Sequence, residues 1–139
     1  SGNARVFGNA RVFGNARVSG NASVSGDASV SGNARVFGNA RVFGNARVFG
    51  NASVSGNARV SGNAWVFGNA DILHITGLGT VHRTTTAFRT TDGLKIICGC
   101  FYGDLKEFRE QVIRTRTGKY REEYLKFAEL VEIYFGREK

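Results

Sequence analysis

The chain has 139 residues, 19 of them Gly, with no Pro, no Met and a formal net charge of +8. It contains no apolar run near the length of a membrane-spanning helix, so we expect no membrane association and a cytoplasmic location. Cys98 and Cys100 are its two cysteines, which are too few and too close together for a disulfide scaffold and suit a reducing compartment.

Residues 2–73 divide without insertion into twelve hexads, from GNARVF to GNADIL. Val recurs every six residues with Ala two positions before it, so both point inward if Ala-Arg-Val-Phe is extended. Gly and Asn tolerate left-handed backbone at low cost and therefore supply the corners. The repeat predicts a mainly β protein whose first half is a solenoid. One inward column is predicted to contain Val6, Val24, Val42 and Val60.

The run Val-Phe-Gly-Asn-Ala-Arg resembles the aliphatic-x-x-x-small-x signature of hexapeptide-repeat, left-handed β-helix proteins. This family includes many acyltransferases and the γ-type carbonic anhydrases. The resemblance covers residues 2–73 and implies three hexads per triangular coil, hence four coils with residues eighteen apart stacked at about 4.8 Å. Left-handedness comes from the resemblance alone, since the general crossover rule favours a right-handed connection.

The catalytic features of those families are missing from the hexads. Acyltransferases of this kind use a histidine base near the coils and an extended loop, whereas the twelve hexads contain neither a histidine nor an insertion. His74 and His82 are too few for the three metal-binding histidines of the carbonic anhydrases. We therefore expect a non-enzymatic protein with no catalytic residue and no cofactor, and an acyltransferase-like enzyme is the last alternative.

The outward positions of the hexads combine Arg with Phe. Interfaces favour this combination, so we expect a homo-oligomer, with a trimer favoured over a dimer as in trimers of the resembling family. An N-terminal strand edge with no covering sequence supports the same expectation. Two alternatives stay open: nucleotide bases stacked on the rings, and a solvated repetitive surface. In the second coil Ser23 and Ser29 stand where other hexads have Arg, which reduces the stacking of like charges along the outward columns. The predicted interface residues are Phe13, Arg47, Phe49, Trp65 and Phe67.

The hexad pattern ends at Leu73, and residues 74–139 are predicted to form a small α+β cap. Residues 84–89 and 94–98 are prone to β structure and flank an Asp-Gly turn, which predicts a hairpin. Asp104 and Glu107 form a capping arrangement that opens one helix, and a second helix is predicted over residues 119–135. A hairpin plus two helices is enough to cover the open edge of the last coil.

The run TAFRTTDGLKIICGCFYGDLKEF resembles the C-terminal segment that follows hexapeptide repeats in uncharacterised proteins of phages, prophages and gut Gram-positive bacteria. This second resemblance covers residues 72–135 and implies a phage or prophage context, in which small oligomeric proteins often bind host-defence components or their nucleotide signals, a counter-defence role. It is an analogy between sequences and assigns no chemistry.

Two groups of residues in the cap are candidates for ligand or metal binding. A basic, hydroxyl-rich segment has donors suited to phosphate, although Thr-rich strands with solvated Arg are also common structural elements. A His₂Cys₂ zinc site is the weaker candidate, because the spacing of its residues is irregular. The candidate ligand residues are His82, Arg83, Thr84, Thr86, Arg89 and Lys95. The candidate metal ligands are His74, His82, Cys98 and Cys100.

The excess of basic residues lies mostly in the repeat, where seven Arg stand against Asp27 and Asp71. Basic surfaces favour anionic partners. We therefore expect an oligomeric binding protein that engages a host protein or an anionic nucleotide or nucleic acid. The alternative is a purely structural, self-assembling solenoid module.

Overall fold

The computed structural model describes residues 4–68, 71–79 and 83–136, with only the backbone described for Arg83. The first eleven hexads each contain one strand of two residues. The strands are β1 Arg5–Val6, β2 Arg11–Val12, β3 Arg17–Val18, β4 Ser23–Val24, β5 Ser29–Val30, β6 Arg35–Val36, β7 Arg41–Val42, β8 Arg47–Val48, β9 Ser53–Val54, β10 Arg59–Val60 and β11 Trp65–Val66.

These short strands stack as three parallel sheets, which we name sides A, B and C. Side A is β1-β4-β7-β10, side B is β2-β5-β8-β11 and side C is β3-β6-β9. Register partners are eighteen residues apart, as in the pairs Val6 with Val24 and Val42 with Val60. The six-residue period and the inward valine column are therefore confirmed.

Alanine and valine fill the interior of the solenoid. From Ala22 to Val66 every Ala and Val of the hexads is 0–1% exposed, because each lies between two neighbouring coils or between the last coil and the cap. Val6 in the first coil is 46% exposed. Each fully buried Val contributes about 1.5–3 kcal/mol, so the column of stacked side chains is the main stabilising element of the repeat.

Glycine makes the corners for a steric reason. Gly44 has a φ of +68°, and a Cβ at this position would lie 2.9 Å from the backbone nitrogen of Gly62 in the next coil. No other residue type combines this left-handed backbone with so close an approach. The neighbouring Asn adds a side-chain ladder, in which Asn21 Nδ2 donates to Asn39 Oδ1 at 3.3 Å.

The solenoid ends earlier on one side than on the others. Among the described residues sides A and B have four strands and side C has three, so three coils are complete and the fourth has two sides. The reason lies in the twelfth hexad, whose Ile72 begins β12 (Ile72–Leu78). This strand pairs antiparallel with β13 (Arg83–Thr90) and not with side C.

The cap is a four-stranded antiparallel sheet with two helices. The sheet has the order β12-β13-β14-β15, in which β14 is Gly93–Cys98 and β15 is Phe101–Gly103. The helices are α1 (Leu105–Thr115) and α2 (Gly118–Gly136). The predicted hairpin and both helices are confirmed, whereas β12 and β15 were not predicted.

The beginning of α1 follows the predicted capping box. The amide of Glu107 donates to Asp104 Oδ1 at 2.8 Å, and the amide of Asp104 donates to Glu107 Oε1 at 2.9 Å. Each side chain thus satisfies a backbone donor of the other residue at the helix N-terminus.

The cap sheet lies between the end of the solenoid and the two helices. Ile72, Phe88 and Ile97 on one face are buried within the core of the solenoid. Ala87 and Ile96 on the other face pack in a second core with the helices. The solenoid and the cap therefore share buried residues, and a domain boundary at 73/74 stays a prediction.

Candidate binding surfaces

Side B carries an aromatic cluster near its C-terminal end. The Phe49 ring lies edge-on to Trp65 at 5.3 Å and to Phe67 at 5.0 Å between ring centroids. The guanidinium of Arg47 lies 5.4 Å from the centre of the Trp65 ring. Trp65 is 43% exposed and Phe67 58% exposed, so the cluster presents its rings to solvent.

Four of the five predicted interface residues thus lie together in what we call the side B cluster: Arg47, Phe49, Trp65 and Phe67. Phe13, the fifth, is 54% exposed on the same side, but the segment from Ser29 to Ser31 separates it from the cluster. The small Ser residues leave a groove of about 720 Å³ between the two rows of large side chains.

The side B groove includes a carboxylate. Asp27 replaces the Asn of other hexads, and its Oδ1 accepts a hydrogen bond of 3.1 Å from Asn9 Nδ2. Arg11 and Arg47 also line the groove, so its charge is mixed. Thr91 of the cap lines the same groove, and its amide donates to the carbonyl of Asn63 at 3.1 Å.

Side A has a similar groove of about 830 Å³. Arg5 and Phe7 of the first coil form one wall, and Arg41 and Phe43 of the third coil form the other. The floor is formed by the serines of the second coil, Ser23 and Ser25. Sequence reasoning did not identify this groove as a site. The signal was present in the hexads at 20–31, which have Ser at every outward position around their valines.

The candidate phosphate donors of the cap are largely engaged within the protein. Thr86 is 1% exposed, and its Oγ1 accepts a hydrogen bond of 3.2 Å from the amide of Arg59 in the solenoid. The hydroxyls of Thr84 and Thr76 lie 2.6 Å apart. The side chain of Arg59 donates to the carbonyl of Gly99 at 2.9 Å. The two contacts of Arg59 attach the cap to the last coil.

Arg89 lies on the opposite face of β13 from Thr86. Its Nε lies 2.9 Å from Asp71 Oδ1, and its Nη2 donates to the carbonyl of Phe135 at 3.0 Å. Lys95 is half-buried and is the register partner of Phe88. The structure therefore does not bring Thr86 and Arg89 together on one donor surface.

The other two members of that predicted site are incompletely described. His82 lies outside the described residues, and for Arg83 only the backbone is described. Binding of a ligand to this segment stays a prediction.

The candidate metal ligands do not converge in the described part of the chain. His74 lies on the solenoid face of the sheet, where its imidazole approaches Gly56 and burial lowers its pKa. Cys98 is buried on the helix face, where Thr85 Oγ1 donates to its Sγ at 3.5 Å. Cys100 is exposed, and among the described residues no three His, Cys, Asp or Glu side chains are grouped for a metal ion.

A small cavity of about 240 Å³ lies between α1 and the end of β14, lined by both cysteines together with Phe108, Arg116 and Tyr124. The Arg116 guanidinium lies 5.4 Å from the centre of the Tyr124 ring and so covers one wall. Neither thiol is part of a disulfide. The cavity offers two thiols and one cation, and no general base is placed among its lining residues.

In the described part of the chain no helix is both long and apolar enough to cross a membrane.

Comparison with known proteins bears on the repeat. Searches of the curated proteins and of the solved structures found no match for this chain. Five segments match the family model of the YdcK β-solenoid repeat: 10–26, 16–32, 28–42, 40–56 and 52–68. The repeat is therefore similar to that β-solenoid family, in agreement with its stacked parallel coils.

Proposed function

We propose that this protein is a non-enzymatic binding protein that associates with further copies of itself through side B. The observation that carries the proposal is the side B cluster, in which three aromatic rings and one guanidinium pack against each other at the surface. Aromatic residues and Arg dominate the energetically important positions of protein interfaces. Rings that are already held by their neighbours lose little conformational freedom when a partner covers them.

The proposal also includes the type of solenoid, the origin of the protein and its location in the cell. Twelve hexads in a left-handed β-helix of four coils follow from the resemblance of the repeat to hexapeptide proteins. A phage or prophage origin has its support in the resemblance of the C-terminal run alone. A cytoplasmic location is supported by the two unpaired thiols, Cys98 and Cys100, since extracellular proteins rarely keep an exposed free cysteine.

The test is the mass of the native assembly, measured by light scattering over a range of concentrations. The wild type is expected to form a trimer or a dimer. Replacing Phe49 and Phe67 by Ser removes two of the three rings, and Ser already stands at the equivalent outward position in Ser31. The double variant is therefore expected to keep its circular dichroism spectrum and to become monomeric.

Phe37 provides the matched control. It occupies the same hexad position on side C and is 38% exposed, so Phe37→Ser removes a ring of the same kind away from the cluster. The control variant is expected to retain the wild-type mass. A wild type that stays monomeric at the highest concentration, or a double variant with unchanged mass, would contradict self-association through side B.

The mass measurement also addresses the first alternative. A structural self-assembling module would form open-ended assemblies whose mass rises with concentration without reaching a limit. An acyltransferase-like enzyme stays the second alternative; it would require a base, and His74 in β12 faces the solenoid and approaches Gly56.

A further inference from the structure

The grooves on sides A and B have the same construction and different charge. Both have a floor of two serines between walls of Arg and Phe. The side B groove contains Asp27 and adjoins Trp65. The side A groove is lined by Arg, Asn, Ser, Phe and Ala, with no carboxylate among its lining residues. Side A is thus the more favourable of the two for an anion.

We propose that the side A groove binds nucleoside phosphates. The base stacks on Phe7 or Phe43, and the phosphate is held by Arg5 and Arg41. This inference rests on the proposed function in so far as the sides of the solenoid are binding surfaces. It concerns a different side from the cluster that mediates self-association.

The spacing of the side chains fits a ligand with one ring and one anionic group. Arg41 and Phe43 are two residues apart along one extended segment, which separates their Cα atoms by about 6.6 Å. A nucleoside phosphate separates its base from its phosphate by a comparable distance. Base stacking on an aromatic ring combined with Arg contacts to phosphate is a recurring mode of nucleotide binding.

The second coil supplies the space for the ligand. The first and third coils are separated by two strand spacings, or about 9.6 Å. Ser23 and Ser25 lie between their walls and project only a hydroxymethyl group. Phe7 is 53% exposed above this floor, so its ring is accessible for stacking.

Charge dilution alone does not account for Ser23. Arg41 and Arg59 are register partners on side A, and Arg17 and Arg35 are register partners on side C. Neighbouring coils of this protein therefore tolerate stacked arginines. Serine at position 23 opens the groove as well as separating Arg5 from Arg41.

The experiment measures binding of three probes to the full chain by calorimetry: AMP, adenosine and inorganic phosphate. AMP combines a base with a phosphate, so we expect its affinity to exceed that of either single-function probe by about tenfold or more. AMP affinity no greater than that of inorganic phosphate would overturn the proposal, because the rings would then contribute nothing.

Two pairs of variants place the site. Arg41→Ser is expected to weaken AMP binding by about tenfold, whereas Arg35→Ser, in an identical hexad on side C, leaves it unchanged. Ser25→Phe fills the floor and is expected to abolish binding, whereas Ser55→Phe adds the same ring on side C and has no effect. Phe occurs at these positions in other hexads, so both variants are compatible with the coil.

A third variant distinguishes a shaped site from attraction by charge. Ser23→Arg adds a positive charge to the groove and closes it. We expect this variant to lose AMP binding, whereas binding driven by net charge would become tighter and would overturn the proposal. Equal effects of Arg41→Ser and Arg35→Ser would overturn it as well.

The variant with Ser at positions 49 and 67 separates this proposal from self-association. Its side A is intact, so we expect wild-type affinity for AMP even where the assembly has dissociated. Unchanged AMP binding in this variant supports the side A site irrespective of the oligomeric state of the wild type. Loss of AMP binding there would show that the ligand lies on side B.

Discussion

Asp71 and Arg89 form an ion pair at the end of the solenoid, with 2.9 Å between Oδ1 and Nε. Asp71 Oδ2 accepts hydrogen bonds from the amides of Phe67 at 2.9 Å and Gly68 at 3.3 Å. Arg89 also donates to the carbonyl of Phe135 near the end of α2. One pair of side chains thus connects the last coil, the cap sheet and the second helix.

We predict that this pair stabilises the attachment of the cap. Arg89→Ala leaves the half-buried Asp71 carboxylate without its cation and the Phe135 carbonyl without its donor. The expected loss in the free energy of unfolding is about 1–3 kcal/mol, measured by urea denaturation. A double-mutant cycle with Asp71→Ala is expected to show coupling between the two residues.

The pair Lys126 and Glu129 is the control for this prediction. Its atoms lie 3.4 Å apart, and both side chains are more than half exposed. Such surface pairs contribute less than about 1 kcal/mol, so Lys126→Ala is expected to change stability little. Equal losses for Arg89→Ala and Lys126→Ala would contradict a structural role of the Asp71–Arg89 pair.

Gly44 is predicted to be intolerant of substitution. Gly44→Ala places a Cβ 2.9 Å from the Gly62 nitrogen at a φ of +68°. The energetic cost of a left-handed backbone adds to the cost of the steric overlap. We therefore expect the free energy of unfolding to fall by more than about 1 kcal/mol and the melting temperature to fall with it. Gly68→Ala is the control, because a Cβ there meets no atom within 4 Å. Similar melting temperatures for the two variants would show that the coils separate easily.

His74 is predicted to make stability depend on pH. Burial lowers its pKa from the ordinary value of 6.5. The unfolded chain therefore takes up a proton near pH 6.5, and the folded protein does so only at a lower pH. The free energy of unfolding therefore holds its full value with respect to His74 above pH 6.5. It decreases as the pH falls from 6.5 toward the pKa of His74 in the folded protein.

Urea denaturation at pH 7.5 and pH 5.5 checks this prediction. The wild type is expected to lose more stability between these values than His74→Gln, which cannot titrate. His82→Gln serves as the control for the second histidine of the chain. Identical pH dependence in the wild type and in His74→Gln would contradict the effect of burial.

The two cysteines are predicted to differ in reactivity toward a thiol reagent. Cys100 is exposed at the turn between β14 and β15, whereas Cys98 is 9% exposed and faces the helices. The native protein is expected to react rapidly at one thiol and slowly at the other, and Cys100→Ser is expected to remove the rapid phase. Two rapid phases in the native protein would show that α1 separates readily from the sheet.

Much of the fold follows from the sequence because its determinants are local. The six-residue period alone places Ala22 and Val24 inside, and the Gly-Asn corners need no distant partner. The capping box of α1 is likewise local, since Asp104 and Glu107 are three residues apart. Repeats and caps are predictable because neighbouring residues satisfy each other's steric and hydrogen-bonding requirements.

The remaining features depend on contacts between distant segments. The run from Ile72 to Leu78 alternates apolar and polar residues over only four positions, Leu73 to Thr76, before Gly77, and its strand β12 pairs with β13. Arg89 looked like a phosphate donor in a basic strand, and its ion pair with Asp71 exists only once the cap has folded onto the last coil. The serine-floored groove on side A is likewise created when coils eighteen residues apart stack their side chains into walls. The local pattern determined which residues of the hexads are buried, and packing between segments decided which polar groups are engaged within the protein and which stay at its surface.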